Sequence, residues 1–306
     1  MSDRIPAEIR EDWKRARRLA WWTVGWMVSI VVVMGLTMGS SQAMKTAWIE
    51  DVLSIVPAIV FLISTQLELK APTRRFPYGF HRVHSLAFLI SAVALTAVGA
   101  TLLIESATTL LMREHATVPP VQLFGENIWL GWLMIGALVY SVVPPFILGR
   151  MKLPLSKRLQ DAVLFTDAEA QKADWMTGLA GVAGVLGIGL GQWWADAAAA
   201  GIIAFSILRD GIGALRTATA ELIDGLPRRL GRSEVAPDAE QLLQHLKAHY
   251  PGDDVRLRET GRYIHAQVYG VEPEHSVDLK ALWPGPAERS WRFAQLSFVP
   301  VEDEEM

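Results

Sequence analysis

Residues 161–190 read DAVLFTDAEAQKADWMTGLAGVAGVLGIGL. From Trp175 onward the stretch is apolar and rich in glycine, whereas its first half carries Asp167, Glu169, Lys172 and Asp174. A run of this length can cross a bilayer, which takes about 20 apolar residues, and small residues let such helices pack closely. Carboxylates beside or inside hydrocarbon are costly unless they are paired or have a task. A second acidic pair, Glu50-Asp51, stands near the start of another apolar run, AWIEDVLSIVPAIVFLISTQLE at 47–68. Acids on two separate membrane helices point to a cation site built across a helix bundle.

Six runs are long enough to span: 19–39, 47–68, 83–112, 127–149, 161–190 and 193–220. The first is read as a span rather than a cleaved leader, because it is long and lacks a clean small-x-small site near Met34 to Ser41. Composition agrees with a membrane protein: charged residues are 20% of the 306, against roughly 25% in soluble chains. A net charge of −3 gives no bulk attraction to nucleic acid. The absence of Cys excludes disulfides and thiolate metal sites. Lys and Arg set the orientation. Arg4, Arg10, Lys14, Arg15, Arg17 and Arg18 precede the first span, Lys70, Arg74, Arg75 and Arg82 join the second to the third, and Arg150, Lys152, Lys157 and Arg158 join the fourth to the fifth. The opposite connections carry only Lys45 and Arg113. Both termini are therefore expected in the cytoplasm, and the short loops fit a bacterial inner (plasma) membrane.

The chain divides into a transport domain at 1–225 and a soluble α+β domain at 226–306 that ends in an acidic tail. APDAEQLLQHLKAHY (236–250) has leucines at helical spacing, with a proline near its start. Residues 255–259 and 263–269 alternate as strands around Thr260-Gly261, and 291–299 reads as a last strand after an irregular or weakly helical segment at 274–282. A unit this small leans on a partner copy.

Several stretches resemble the cation diffusion facilitators. They are Pro77-Tyr78-Gly79-Phe80-His81-Arg82 at the start of the third span, Asp167-Ala168 and Ala173-Asp174 in the fifth, Trp194-Ala195-Asp196 at the sixth, and Leu222-Ile223-Asp224 to Pro227 after it. The resemblance covers roughly 15–270. It implies a membrane all-α six-helix bundle with a small cytoplasmic ferredoxin-like α+β domain, and a homodimer. It also implies a transport site of two i, i+4 pairs, one on span two and one on span five, usually His or Asp followed by Asp. Here those places fall on Glu50 and Ser54, and on Ala170 and Asp174. The chain departs from the pattern at Ser54 and Ala170 and has no His among the four.

Neighbouring residues compensate. Asp167 lies seven residues before Asp174, nearly two turns, and so shares its face. Gln171 is one turn from both, and Asp51 adjoins Glu50. The expected metal ligands are therefore Glu50, Asp51, Ser54, Asp167 and Asp174, an all-oxygen set. Such a set suits harder cations such as Mn²⁺, Mg²⁺ or Ca²⁺, with Fe²⁺, Co²⁺ and Zn²⁺ left open. Lys172 has three readings: a salt bridge to Asp51, a built-in cation in proton coupling, or a snorkelling lysine. Pro57 is expected to kink span two. His81 and His84 form a weak i, i+3 surface pair, and His245 and His249 a weak i, i+4 pair.

The expected function is a secondary transporter, not an enzyme, that needs no cofactor and exports a divalent cation against proton entry. The alternative is a transport-incompetent scaffold or metal sensor of the same fold. The expected partners are the cation, the proton, membrane lipid and a second copy.

Overall fold

The computed structural model of the chain describes residues 7–37, 48, 51–52, 54–113, 120–123, 126–232, 234–251, 254–270 and 277–300. A 3₁₀ turn at Ala7–Ile9 leads into α1 (Arg10–Thr37). The remaining helices of the bundle are α2 (Val56–Glu68), α3 (Arg82–Met112), α4 (Leu130–Leu159), α5 (Ala162–Gly189) and α6 (Ala195–Leu222). The strands β1 (Pro120–Leu123) and β2 (Glu126–Trp129) form an antiparallel pair just before α4.

Three of these helices are long and apolar enough to cross a membrane: Ala7–Thr37, Arg82–Met112 and Leu130–Leu159. The chain is an integral membrane protein. The apolar α2 has 13 residues, about 20 Å of helix. The 28-residue α5 carries four charges in its first half, and the 28-residue α6 carries charges along its length. Trp21, Trp22, Ile104, Trp132 and Phe205 stand exposed around the bundle, as lipid-facing side chains do.

α3 packs along α6, α4 along α5, and α1 against α4, while α2 sits among α1, α3 and α5. The α3–α6 contact is backbone on backbone. A Cβ at Gly99 of α3 would meet the Leu208 amide nitrogen at 2.6 Å, and one at Gly211 of α6 would meet the Thr96 Cα at 2.9 Å. Only glycine allows this approach, the close packing that small residues give membrane helices.

Two of the expected spans differ in their limits. Span two was expected from residue 47, but α2 begins at Val56, after helical Asp51-Val52 and a turn at Ser54-Ile55. Pro57 therefore lies in the first turn of α2, where its missing N–H costs nothing. Span four was expected at 127–149. Its helix starts at Leu130, because 126–129 pairs as a strand, and it continues to Leu159. Arg150, Lys152, Lys157 and Arg158 are thus helical rather than in a loop. Gln160, with φ of +47°, ends α4. The Asp161 carboxylate then caps α5 by accepting the Leu164 N–H at 2.9 Å.

The C-terminal domain has α7 (Pro237–His249) packed on a three-stranded sheet in the order β3-β4-β5. β3 (Val255–Thr260) and β4 (Tyr263–Tyr269) are antiparallel, and β5 (Phe293–Val299) runs parallel to β4. Among the described residues a 3₁₀ turn, Ala287–Arg292, precedes β5 where a ferredoxin-like unit would have its second helix, and Trp291 belongs to that turn rather than to the strand. Tyr263 and Trp291 join Trp13, Phe61, Phe88 and Leu164 of the bundle in one apolar cluster, so the domain is continuous with the helices.

Inside this domain the Arg292 guanidinium is 1% exposed and bonds Asp238 at 2.5 Å and Glu259 at 2.8 Å. Burial nevertheless raises the Glu259 carboxyl to about 7, against the pull of Arg292, with the Glu221 charge adding to the rise. A carboxyl raised in the fold contributes stability that is present below its unfolded value and lost as pH rises through its folded value. Glu259→Gln should therefore gain on the parent by about 3 kcal/mol between pH 4.5 and 7.5, as read by chemical denaturation of the two proteins. A difference that stays flat would mean that Arg292 keeps Glu259 ionised throughout.

Candidate metal centre

The centre lies where the broken start of α2 meets the middle of α5. The Ser54 hydroxyl donates to Asp174 Oδ1 at 2.6 Å, and both residues are buried. The second oxygen, Asp174 Oδ2, is buried with no hydrogen-bond partner among the described residues. Beside it is a cavity of about 10 Å³ lined by Ser54, Pro57, Leu95, Ala170, Ala173 and Asp174, among others. That is room for about one water-sized occupant. The half-buried Asp51 lies in electrostatic range of Asp174. Glu50 lies outside the described residues.

The burial pattern sets Asp174 apart. The buried carboxylates described are those of Glu68, Asp161, Asp167, Asp174 and Asp238. Glu68 contacts Arg262, Asp161 contacts His84 and Arg262, Asp167 contacts Lys152, and Asp238 contacts Arg292. Asp174 alone among them contacts only a hydroxyl. A buried charge needs a counter-charge or a metal, and this one has space beside it rather than a cation.

Asp167 corrects the sequence-based expectation. It is fully buried and bonded to the equally buried Lys152 of α4, and it is not among the residues lining the cavity. Seven residues of helix put it about 10 Å along the axis from Asp174. Its charge is committed to Lys152. That lysine counted as part of a basic loop, yet Leu148, Lys152, Leu155 and Leu159 form one buried stripe on α4, and this apolar spacing was the available signal.

Gln171 turns away from the cavity and donates to Thr23 of α1 at 2.8 Å. Lys172 does not reach Asp51. Its ammonium lies 3.3 Å from Glu169, and the two line a separate cavity of about 30 Å³ with Ser206 and Asp210. His84 is not on a surface: its Nε2 sits 2.8 Å from Asp161 Oδ1 in the buried interior. His249 stacks edge-on against Tyr250. Among the described residues no three His, Asp or Glu side chains converge on one point, so the centre as described offers two carboxylates and one hydroxyl.

Sequence reasoning missed a second charged assembly. The turn between β3 and β4 is Gly261-Arg262, with Gly261 at φ of +65°. Arg262 inserts into the bundle and donates to Glu68 at 3.0 Å and to Asp161 at 3.2 Å, with its side chain 1% exposed. Arg262 sits directly after the turn glycine of an alternating hairpin and so reads as a solvent-facing loop residue.

A family model described as the cation efflux transmembrane domain matches residues 20–223. The chain belongs to the cation efflux, or cation diffusion facilitator, family. Two probable cation efflux system proteins of Mycobacterium tuberculosis (strains CDC 1551 and H37Rv) are 27% identical over 243 residues, 78% of this chain. The alignment spans 66% of the length of those two relatives. An uncharacterized transporter of Methanocaldococcus jannaschii is 22% identical over 79% of this chain and 80% of its own. A manganese efflux system protein of Bacillus subtilis (strain 168) is 19% identical over 74% of this chain and 73% of its own.

Within the bundle the Lys152–Asp167 pair joins α4 to α5, and its energetics follow from burial. Lys152→Met leaves Asp167 buried without a counter-charge, which costs about 3–5 kcal/mol. Thermal unfolding in detergent should show that loss, and the double variant Lys152→Met/Asp167→Leu should recover most of it. A single variant as stable as the parent would show that the pair is not holding α4 to α5.

Proposed function

We propose that this protein exports a divalent metal cation from the cytoplasm in exchange for protons, through a site formed by Asp174 and Ser54 with Asp51 and Glu50. The single observation that carries the reading is the buried Asp174 carboxylate, with one oxygen held by Ser54 and the other without a hydrogen-bond partner among the described residues, beside a cavity for one small occupant. Family membership supports cation transport as the class of activity, and six spans with both termini in the cytoplasm complete the topology.

Ser54 fixes the rotation of the carboxylate by donating to Oδ1, so Oδ2 is presented to the cavity. The same oxygen can hold a metal or a proton. Proton arrival therefore releases the cation and cation arrival releases the proton, the linkage that an exchanger needs. Asp51, near the outer end of α2 by this orientation, brings a second carboxylate into electrostatic range of Asp174, which would help draw the cation in.

Oxygen donors select against soft-metal chemistry and favour cations such as Mn²⁺ or Mg²⁺. One relative bears the name of a manganese efflux system, and Mn²⁺ is the substrate this reading prefers. A second copy of the chain completes a homodimer, with the C-terminal domains contributing to the contact.

Inside-out vesicles carrying the parent protein should accumulate Mn²⁺ when their lumen is acidic, and collapse of the pH gradient should stop uptake. Asp174→Ala should lower uptake by more than about 10- to 100-fold, the cost of losing only an outer-shell partner of a metal ligand, with folding retained by size-exclusion chromatography. Undiminished uptake in that variant would remove Asp174 from the site. No flux of Mn²⁺, Mg²⁺, Co²⁺, Fe²⁺ or Zn²⁺ in the parent would leave a scaffold or sensor of the same fold.

A further inference from the structure

Arg262 joins the two helices that carry the candidate centre. Glu68 is the last residue of α2, and Ser54 lies just before that helix begins. Asp161 caps α5, and Asp174 lies thirteen residues further on, about 20 Å along the axis. One nitrogen of Arg262, Nη2, donates both to Glu68 Oε2 at 3.0 Å and to Asp161 Oδ2 at 3.2 Å. The guanidinium belongs to neither helix. It is carried by the tip of the β3–β4 hairpin, and the tip is itself docked: the Gly261 N–H donates to Ser85 of α3 at 3.2 Å, and a Cβ at Gly261 would meet the His81 carbonyl oxygen at 3.0 Å.

We propose that Arg262 is a positioning residue for transport, a clamp that holds the domain-side ends of α2 and α5 together and so closes the cytoplasmic approach to Asp174. The inference rests on the transport reading given above. Two anions on two helices repel each other, and α2 and α5 would separate at this end without a cation between them. The bound guanidinium reverses that force. His84, 2.8 Å from the far oxygen of Asp161, and Ser85, which bonds both Glu221 and the hairpin tip, tie α3 and α6 to the same point. Alternating access requires this end of the bundle to open and close around a fixed site, and withdrawal of one side chain frees both helices at once. A purely stabilising role would be served as well or better by apolar packing, since buried ion pairs add little net stability.

The absence of Cys from the chain permits a direct test. Ala170→Cys places one thiol in the lining of the Asp174 cavity, and Ala137→Cys places one in the buried far half of α4. Each is reacted with a membrane-impermeant maleimide in inside-out vesicles, which expose the cytoplasmic face. Arg262→Gln and, separately, Glu68→Gln should raise the labelling rate at position 170 by about 5- to 150-fold, the range for loss of an ordinary coupling between sites. Arg262→Lys, which keeps the charge, should return the rate most of the way to that of the parent. Position 137 should not change, because general loosening would raise both.

Unchanged labelling at 170 in either folded glutamine variant would overturn the clamp. So would an equal rise at 137, or the failure of both glutamine variants to fold, since the cluster would then be scaffold. Mn²⁺ uptake measured on the same vesicles separates the two claims. Uptake with unaltered labelling removes the clamp alone. Altered labelling in a parent that moves no cation removes the transport reading and leaves the clamp as a conformational contact.

Discussion

A carboxylate buried without a counter-charge is the constraint on which this structure turns. The protein buries charge freely, yet among the described residues it neutralises almost every case with a partner from another element: Lys152 for Asp167, Arg262 for Glu68 and Asp161, Arg292 for Asp238. Those pairs satisfy the requirement that interior charge be matched. Among the described residues Asp174 has only the Ser54 hydroxyl. The matching is thorough elsewhere among the described residues, and on the proposed reading the exception is the place where the missing positive charge would come from outside the chain.

The packing of the helices is arranged around that place. Backbone contact between α3 and α6 at Gly99 and Gly211 brings Leu95 and Val98 against α5, where they wall the cavity. The interruption of α2 before Val56 leaves Ser54 in a turn rather than in a helix. Its hydroxyl points across to α5 instead of back to a carbonyl one turn earlier, as the hydroxyls of Thr23 and Thr65 do. Pro57 cannot donate a backbone hydrogen bond, which favours a helix start at that point. A single sequence feature thus sets both the helix boundary and the donor at the centre.

Much of this was legible in the sequence. The family resemblance put Ser54 and Asp174 at corresponding places on two helices, and the structure brings these two within a hydrogen bond of each other. The helix at 237–249 and the strands at 255–260 and 263–269 follow the expected periodicities. What escaped was partnership between distant residues. Lys152 lies among charges that suit a loop, and its burial depends on α4 continuing past the expected end of the span. Asp167 shares a face with Asp174 by helical geometry, but that arithmetic does not say which neighbour reaches it first. Arg262 follows a turn glycine, and nothing local tells that the hairpin tip is inserted among helices more than a hundred residues away in sequence. Residues 127–129 of β2 were absorbed into the fourth span because they adjoin an apolar run without a break in composition.

The account stands or falls on where the cation sits. Anomalous scattering from Mn²⁺, in crystals of the protein grown with that ion, locates it without reference to transport. The account predicts a peak between α2 and α5 with Asp174 Oδ2 among its nearest atoms, at about 2.0–2.6 Å, the range of oxygen ligands to divalent cations. A peak at Asp167, or one in the bundle that leaves Asp174 uncoordinated, would contradict it.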